Sequence, residues 1–204
     1  RERKGSCVPR AKSTSSKTVM SSSFVFEPPF FLYTGLMSIG RIILFCFLSF
    51  LTVYALTHPW VYVLDEANLI FHEAGHTLMP FGEVVNLLGG SLFQLLVPLA
   101  VVVSFVRRRE FFSALVALWW MGESMLGVAR YVADARAQEL TLLGGDHDFA
   151  VLFAHWPWLF PYDTMIGGVI RGVGIAVMVS TLAFLLVFIV AAQQKTPSRE
   201  ARVS

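Results

Sequence analysis

Two histidines stand four residues apart around a glutamate in the stretch DEANLIFHEAGHTLMP, Asp65 to Pro80. Residues four apart on an α-helix share a face, one turn from each other. His72 and His76 can therefore direct ring nitrogens at a single metal ion. Glu73, beside them, has the chemistry of a general base for a water held there. Asp65 lies two turns ahead of His72 on the same side, placed either to orient a ligand imidazole or to cap a helix end. The ion that suits such a motif is Zn2+, which in catalytic sites takes three protein ligands and leaves one position open. The third ligand has to be an Asp, Glu or His, because the chain has only Cys7 in a polar tail and Cys46 in an apolar run.

Asp134 is the leading candidate for that ligand. Glu123, Gly127, Arg130 and Asp134 recur at helical spacing and form a polar face. Glu123 and Asp134 are about 16 Å apart along such a helix, so one ligand position cannot use both. The competing reading of Asp134 is a surface carboxylate paired with Arg130 or Arg136. A second polar cluster follows in LLGGDHDFA, where Gly144 and Gly145 permit a tight turn and Asp146, His147 and Asp148 come next. This turn either presents a ligand or substrate-orienting group or is simply solvated. His147 and Asp148 rank behind Asp134 as metal ligands and ahead of His155 and His58, which sit beside Pro or Trp and suit packing or headgroup contact. Asn86, Gln94, Arg130 and His147 are the groups able to bind a developing oxyanion.

The elements that must hold these residues are apolar. Hydrophobic residues make up 55% of the 204 and charged residues 15%, with a mean hydropathy of +0.64. A soluble domain carries about 25% charged residues. The apolar material falls in long runs, which indicates a bilayer. The net charge of +2 is small, and the basic residues flank the apolar runs. Six precede Thr18, three stand together as Arg107-Arg108-Arg109, and Lys195, Arg199 and Arg202 lie near the end. That distribution reads as membrane orientation. Neither an aromatic-studded basic groove nor a recognition helix is present, so nucleic acid is not an expected partner.

Residues 1–28 are Ser- and Lys/Arg-rich without periodicity and read as a disordered tail rather than a cleaved signal. Residues 29–192 read as an all-α membrane bundle, and 193–204 as a polar C-terminal tail. Leu36–Leu56, Val84–Phe105, Phe111 to about Arg130 and about Gly172–Ala192 are long enough to span, and the helix of the third continues through YVADARAQEL. Gly89-Gly90 and Pro98 mark an irregular or closely packed helix. The segment Trp60–Met79 carries Asp65, Glu66, His72, Glu73 and His76, a set too costly to face lipid. It is enclosed by the other helices or enters only part of the bilayer. HDFAVLFAHWPWLFP, broken by Pro157 and Pro161, reads as an interfacial or re-entrant piece. Four full spans plus a partial helix place both termini and the arginine cluster on the cytoplasmic side, as in a bacterial inner membrane protein. Five full spans are the alternative.

With these residues together, the chain resembles the site-2 protease-like intramembrane zinc metallopeptidases of the M50 class. The likeness rests on FHEAGH, Phe71 to His76, and on the Gly-Gly stretch NLLGGSLFQLLVP, Asn86 to Pro98. It covers roughly residues 60–150. The resemblance implies that His72 and His76 ligate zinc, that Glu73 activates water, and that an aspartate on a later helix completes the set. The Asn-Pro-Asp-Gly or Leu-Asp-Gly motif of that aspartate is absent, and Asp134 matches it in role and order but not in neighbours. The function so indicated is a membrane-embedded zinc hydrolase acting on peptide bonds of membrane-protein substrates. A non-enzymatic membrane scaffold with a structural metal and a small transporter are the other classes the composition admits.

Overall fold

The computed structural model describes residues 30–58, 61–142 and 145–194, with side-chain surroundings from Ser38 onward apart from Tyr62. The expected basic tail at 1–28, Gly144 and nearly all of the expected C-terminal tail lie outside these residues.

Among the described residues, six α-helices make up an all-α bundle: α1 (Phe30–Thr57), α2 (Tyr62–Leu78), α3 (Glu83–Arg107), α4 (Phe111–Ala133), α5 (Asp148–His155) and α6 (Asp163–Gln194), with a 3-10 helix, Pro157–Tyr162, leading into α6. Four stretches are long and apolar enough to cross a membrane: Ser38–Thr57, Glu83–Arg107, Phe111–Ala133 and Pro157–Gln194. The polar α2 is not one of them. Its 17 residues rise only about 25 Å.

Close backbone approach decides which helices pair. A Cβ on Gly75 of α2 would collide with the carbonyl of Gly89 on α3, so these two glycines let the helices pack backbone to backbone. α4 and α6 meet in the same way, where a Cβ on Gly174 would lie 2.8 Å from the carbonyl oxygen of Gly122. α3 stays helical through Pro98. One apolar core gathers Leu48, Trp119, Leu126, Met178 and Leu185 from α1, α4 and α6. A second gathers Val128, Val132, Phe149, Leu152 and Phe153, with Leu87 and Leu88 against it, and seats α5 under the end of α4 and the start of α3.

The guanidinium of Arg41 lies over the rings of Phe112 and Phe188, 5.3 and 5.6 Å from their centroids. The early part of α1, the start of α4 and the end of α6 therefore share one end of the bundle, with Arg107–Arg109 in the turn between α3 and α4. The opposite end gathers the end of α2, the start of α3, the end of α4, and α5. One expectation is corrected here: helix α4 does not run on through residues 131–140. It stops at Ala133, and the Asp134 carboxylate accepts the backbone N–H groups of Glu139 and Leu140 at 3.0 and 3.1 Å. That satisfies amides after the helix end and folds the chain back.

A second polar group pins α2 inside the bundle. Asn68 donates to Glu123 at 2.8 Å, and its own carbonyl oxygen accepts from Trp120 Nε1 at 2.9 Å and Ser124 Oγ at 3.0 Å. Asn68, Glu123 and Ser124 are essentially without solvent contact. Asp65 accepts the backbone N–H of Val61 at 2.5 Å, capping the start of α2, and forms an ion pair with Arg130. Of the two roles open to Asp65, this is the cap.

Candidate metal centre

The histidine motif does what its spacing predicts, since both rings leave the same side of α2 and meet edge to face with centroids 4.9 Å apart. Opposite them is the first residue of α5. Asp148 Oδ2 lies 3.0 Å from His72 Nε2 and 3.1 Å from His76 Nε2. One donor atom from each of the three lies within 4.8 Å of the others. The side chains of His72 and Asp148 are 8% and 13% exposed and that of His76 is 22% exposed, so the cluster is enclosed but reachable from one side.

Hydrogen bonding turns this cluster toward a cation. His76 Nδ1 is 2.8 Å from the carbonyl oxygen of Asn86, and a carbonyl can only accept, so the ring donates there. A neutral His76 then presents the lone pair of Nε2 to a carboxylate oxygen 3.1 Å away. Two acceptors at that distance need a proton or a metal ion between them. The second bond of a ligand histidine to a backbone carbonyl is the usual way to fix its tautomer. Asn86 is held in turn by donating its side-chain amide to the carbonyl of His76 at 2.6 Å.

Gly90 supplies the space. A Cβ built on it would lie 2.5 Å from His72 Nε2 and 2.6 Å from His76 Nε2, so any side chain there would crowd both rings. Two imidazoles and one carboxylate, a cradle left open by a glycine and one accessible side fit a tetrahedral Zn2+ with three protein ligands. Glu73 follows His72 and is exposed, and the Tyr131 phenol oxygen accepts the backbone N–H of Asp148 at 3.0 Å.

The remaining candidates sit elsewhere. Asp134 faces the loop amides and His147, with Oδ2 3.4 Å from His147 Nε2. His147 is buried and caps α5, its Nδ1 accepting from the N–H of Ala150 at 3.3 Å. Burial holds His147 below the ordinary histidine range, against the opposing pull of Asp134 and Asp148. Arg130 is with Asp65. Gln94 donates to the Ser124 carbonyl at 3.3 Å, tying α3 to α4. His58 stacks on Tyr54, and His155 pairs with Glu83 at 3.3 Å. Tyr131 and Gly90 carry no sequence signal for the site beyond the Gly-Gly pair. Asp148 does carry one, because an aspartate opening a short apolar helix is tied in place by that helix.

Comparison with family models, with curated proteins and with solved structures returns no match to this chain. What the molecule itself shows is a polytopic helical membrane domain with a clustered His/His/Asp site consistent with a zinc-metalloenzyme-like centre.

Proposed function

We propose that this chain is a membrane-embedded zinc-dependent hydrolase, most closely a metallopeptidase of site-2 protease-like character. His72, His76 and Asp148 are its metal ligands and Glu73 its general base. The observation that carries the reading is the convergence of Asp148 on both Nε2 atoms of a His-Glu-x-x-His helix, with Gly90 keeping the space beside them clear.

Zinc bound there supplies a Lewis acid that polarises a carbonyl and makes water a nucleophile near neutral pH. Glu73 takes a proton from the attacking water at its carboxylate and passes it to the leaving amine. The Asn86 carbonyl keeps the His76 ring oriented. Substrate reaches the centre from the membrane face at that end of the bundle, where Trp156, Trp158 and Tyr162 are exposed, residue types that favour a membrane interface. A peptide segment has to be unwound there, since helical amides are internally bonded. With Arg107–Arg109 on the cytoplasmic side of a bacterial inner membrane, the centre opens on the opposite face.

Metal analysis of the purified, metal-replete protein tests the reading. One zinc per chain is expected, lost in His72→Ala, His76→Ala and Asp148→Ala. Glu73→Gln should retain zinc and lose hydrolysis of membrane-anchored peptide substrates by at least ~100-fold, as removal of a positioned general base does. A wild-type chain that takes up no transition metal would overturn it.

A further inference from the structure

Asp148 reaches the two histidines only because its backbone is held there, and the holding groups come from the end of α4. Tyr131, in the last turn of α4, accepts the N–H of Asp148 at 3.0 Å, and its ring stacks on His147 with centroids 4.2 Å apart. The same ring meets His72 edge-on at 5.4 Å, so one side chain touches the helix of the histidines and the loop of the aspartate. Asp134, three residues on, accepts the amides of Glu139 and Leu140 and faces His147 Nε2, which has no hydrogen-bond partner although its side chain is only 1% exposed. His147 Nδ1 accepts from Ala150, so a neutral ring carries its proton on Nε2, on the side of the Asp134 carboxylate.

We infer that Asp134, His147 and Tyr131 form a clamp that presents Asp148 to the metal, with Asp134 a positioning residue and not a ligand. This rests on the metal-centre reading above and adds to it how the third ligand is fixed. The carboxylate of Asp134 holds the loop at its start through two amides and faces His147 Nε2 at its end, 3.4 Å away. The Tyr131 oxygen then sets the height of Asp148 against the histidines. Partners of this kind, one shell out from the metal, alter affinity without altering the donor set.

The experiment combines Co2+ titration with amide hydrogen exchange on the metal-free full chain. Asp134→Asn and Tyr131→Phe should weaken Co2+ binding about 10–100-fold. At saturation both should keep the wild-type visible absorption bands, whereas Asp148→Asn shifts or abolishes them. In the metal-free protein, exchange at 139–142 and 145–148 should quicken about tenfold or more in Asp134→Ala, with Asp134→Asn intermediate because one acceptor oxygen remains. Tyr131→Phe should speed the Asp148 amide most. Bands in Asp134→Asn that shift as in Asp148→Asn would make Asp134 a ligand and sink the clamp, as would unchanged affinity together with unchanged exchange. A wild-type protein that binds no Co2+ or Zn2+ defeats the metal reading instead, and the exchange measurement then decides the clamp alone.

Discussion

The residue that gives the sharpest test of the centre has no side chain. A methyl group at position 90 would crowd both ligand nitrogens, 2.5 and 2.6 Å from them. Gly90→Ala should therefore cost zinc affinity by ~100-fold or more, at the upper end of what loss of a supporting group costs. α3 itself should gain up to about 1 kcal/mol of helix propensity. Zinc binding by calorimetry and helix content by circular dichroism separate the two effects, and wild-type affinity in Gly90→Ala would place the ion elsewhere. The histidine pair was legible because i and i+4 are fixed by helix geometry alone. Asp148 was harder to read because its position depends on how the chain folds between Asp134 and His147, which no local period encodes. Asp134 was a natural ligand candidate because it ends the polar face of α4, and in the structure it stands against the loop amides and His147. What that face does is different at each position, since Glu123 meets Asn68, Arg130 meets Asp65 and Asp134 turns the chain.

At the scale of elements, α2 is the unusual piece, and its buried polar side chains explain how it is kept in place. Asn68 uses its amide and its carbonyl at once, joining Glu123, Trp120 and Ser124 of α4. Asn68→Ala leaves the Glu123 carboxyl, 1% exposed, without that donor. The expected loss is about 1–3 kcal/mol, the desolvation penalty of an orphaned buried polar group. Thermal unfolding in detergent should show it as a lower midpoint, while Asn68→Asp, which sets a second carboxyl against Glu123, should fall further. Equal stability of all three would mean that α2 is held by its glycine contact with α3 and the Asp65–Arg130 ion pair without the Asn68 network. Three of the four long spans were readable from hydropathy close to their observed limits. The last runs over Pro157–Gln194, well beyond the expected 172–192, and the sequence left open whether α2 also crosses. The end of α4 was not readable, because the sequence after Ala133 keeps helix-forming residues and only the Asp134 side chain diverts it.

Across the described residues, the Arg107–Arg109 turn and the His72/His76/Asp148 cluster lie at opposite ends of the bundle. Single cysteines at Arg108 and Asp146, in a background with Cys7 and Cys46 replaced by Ser, should label with a membrane-impermeant thiol reagent from opposite sides of sealed vesicles. Labelling of both from the same side would contradict the four-span arrangement. The placement of α5 carries a broader consequence. His72 and Asp148 are 76 residues apart in sequence, one in the bundle and the other on an eight-residue helix seated beneath it. An ion held by both is a reversible cross-link between α2 and α5, so occupancy and the seating of α5 are one equilibrium and each strengthens the other. Metal supply would then set how many molecules are structurally complete.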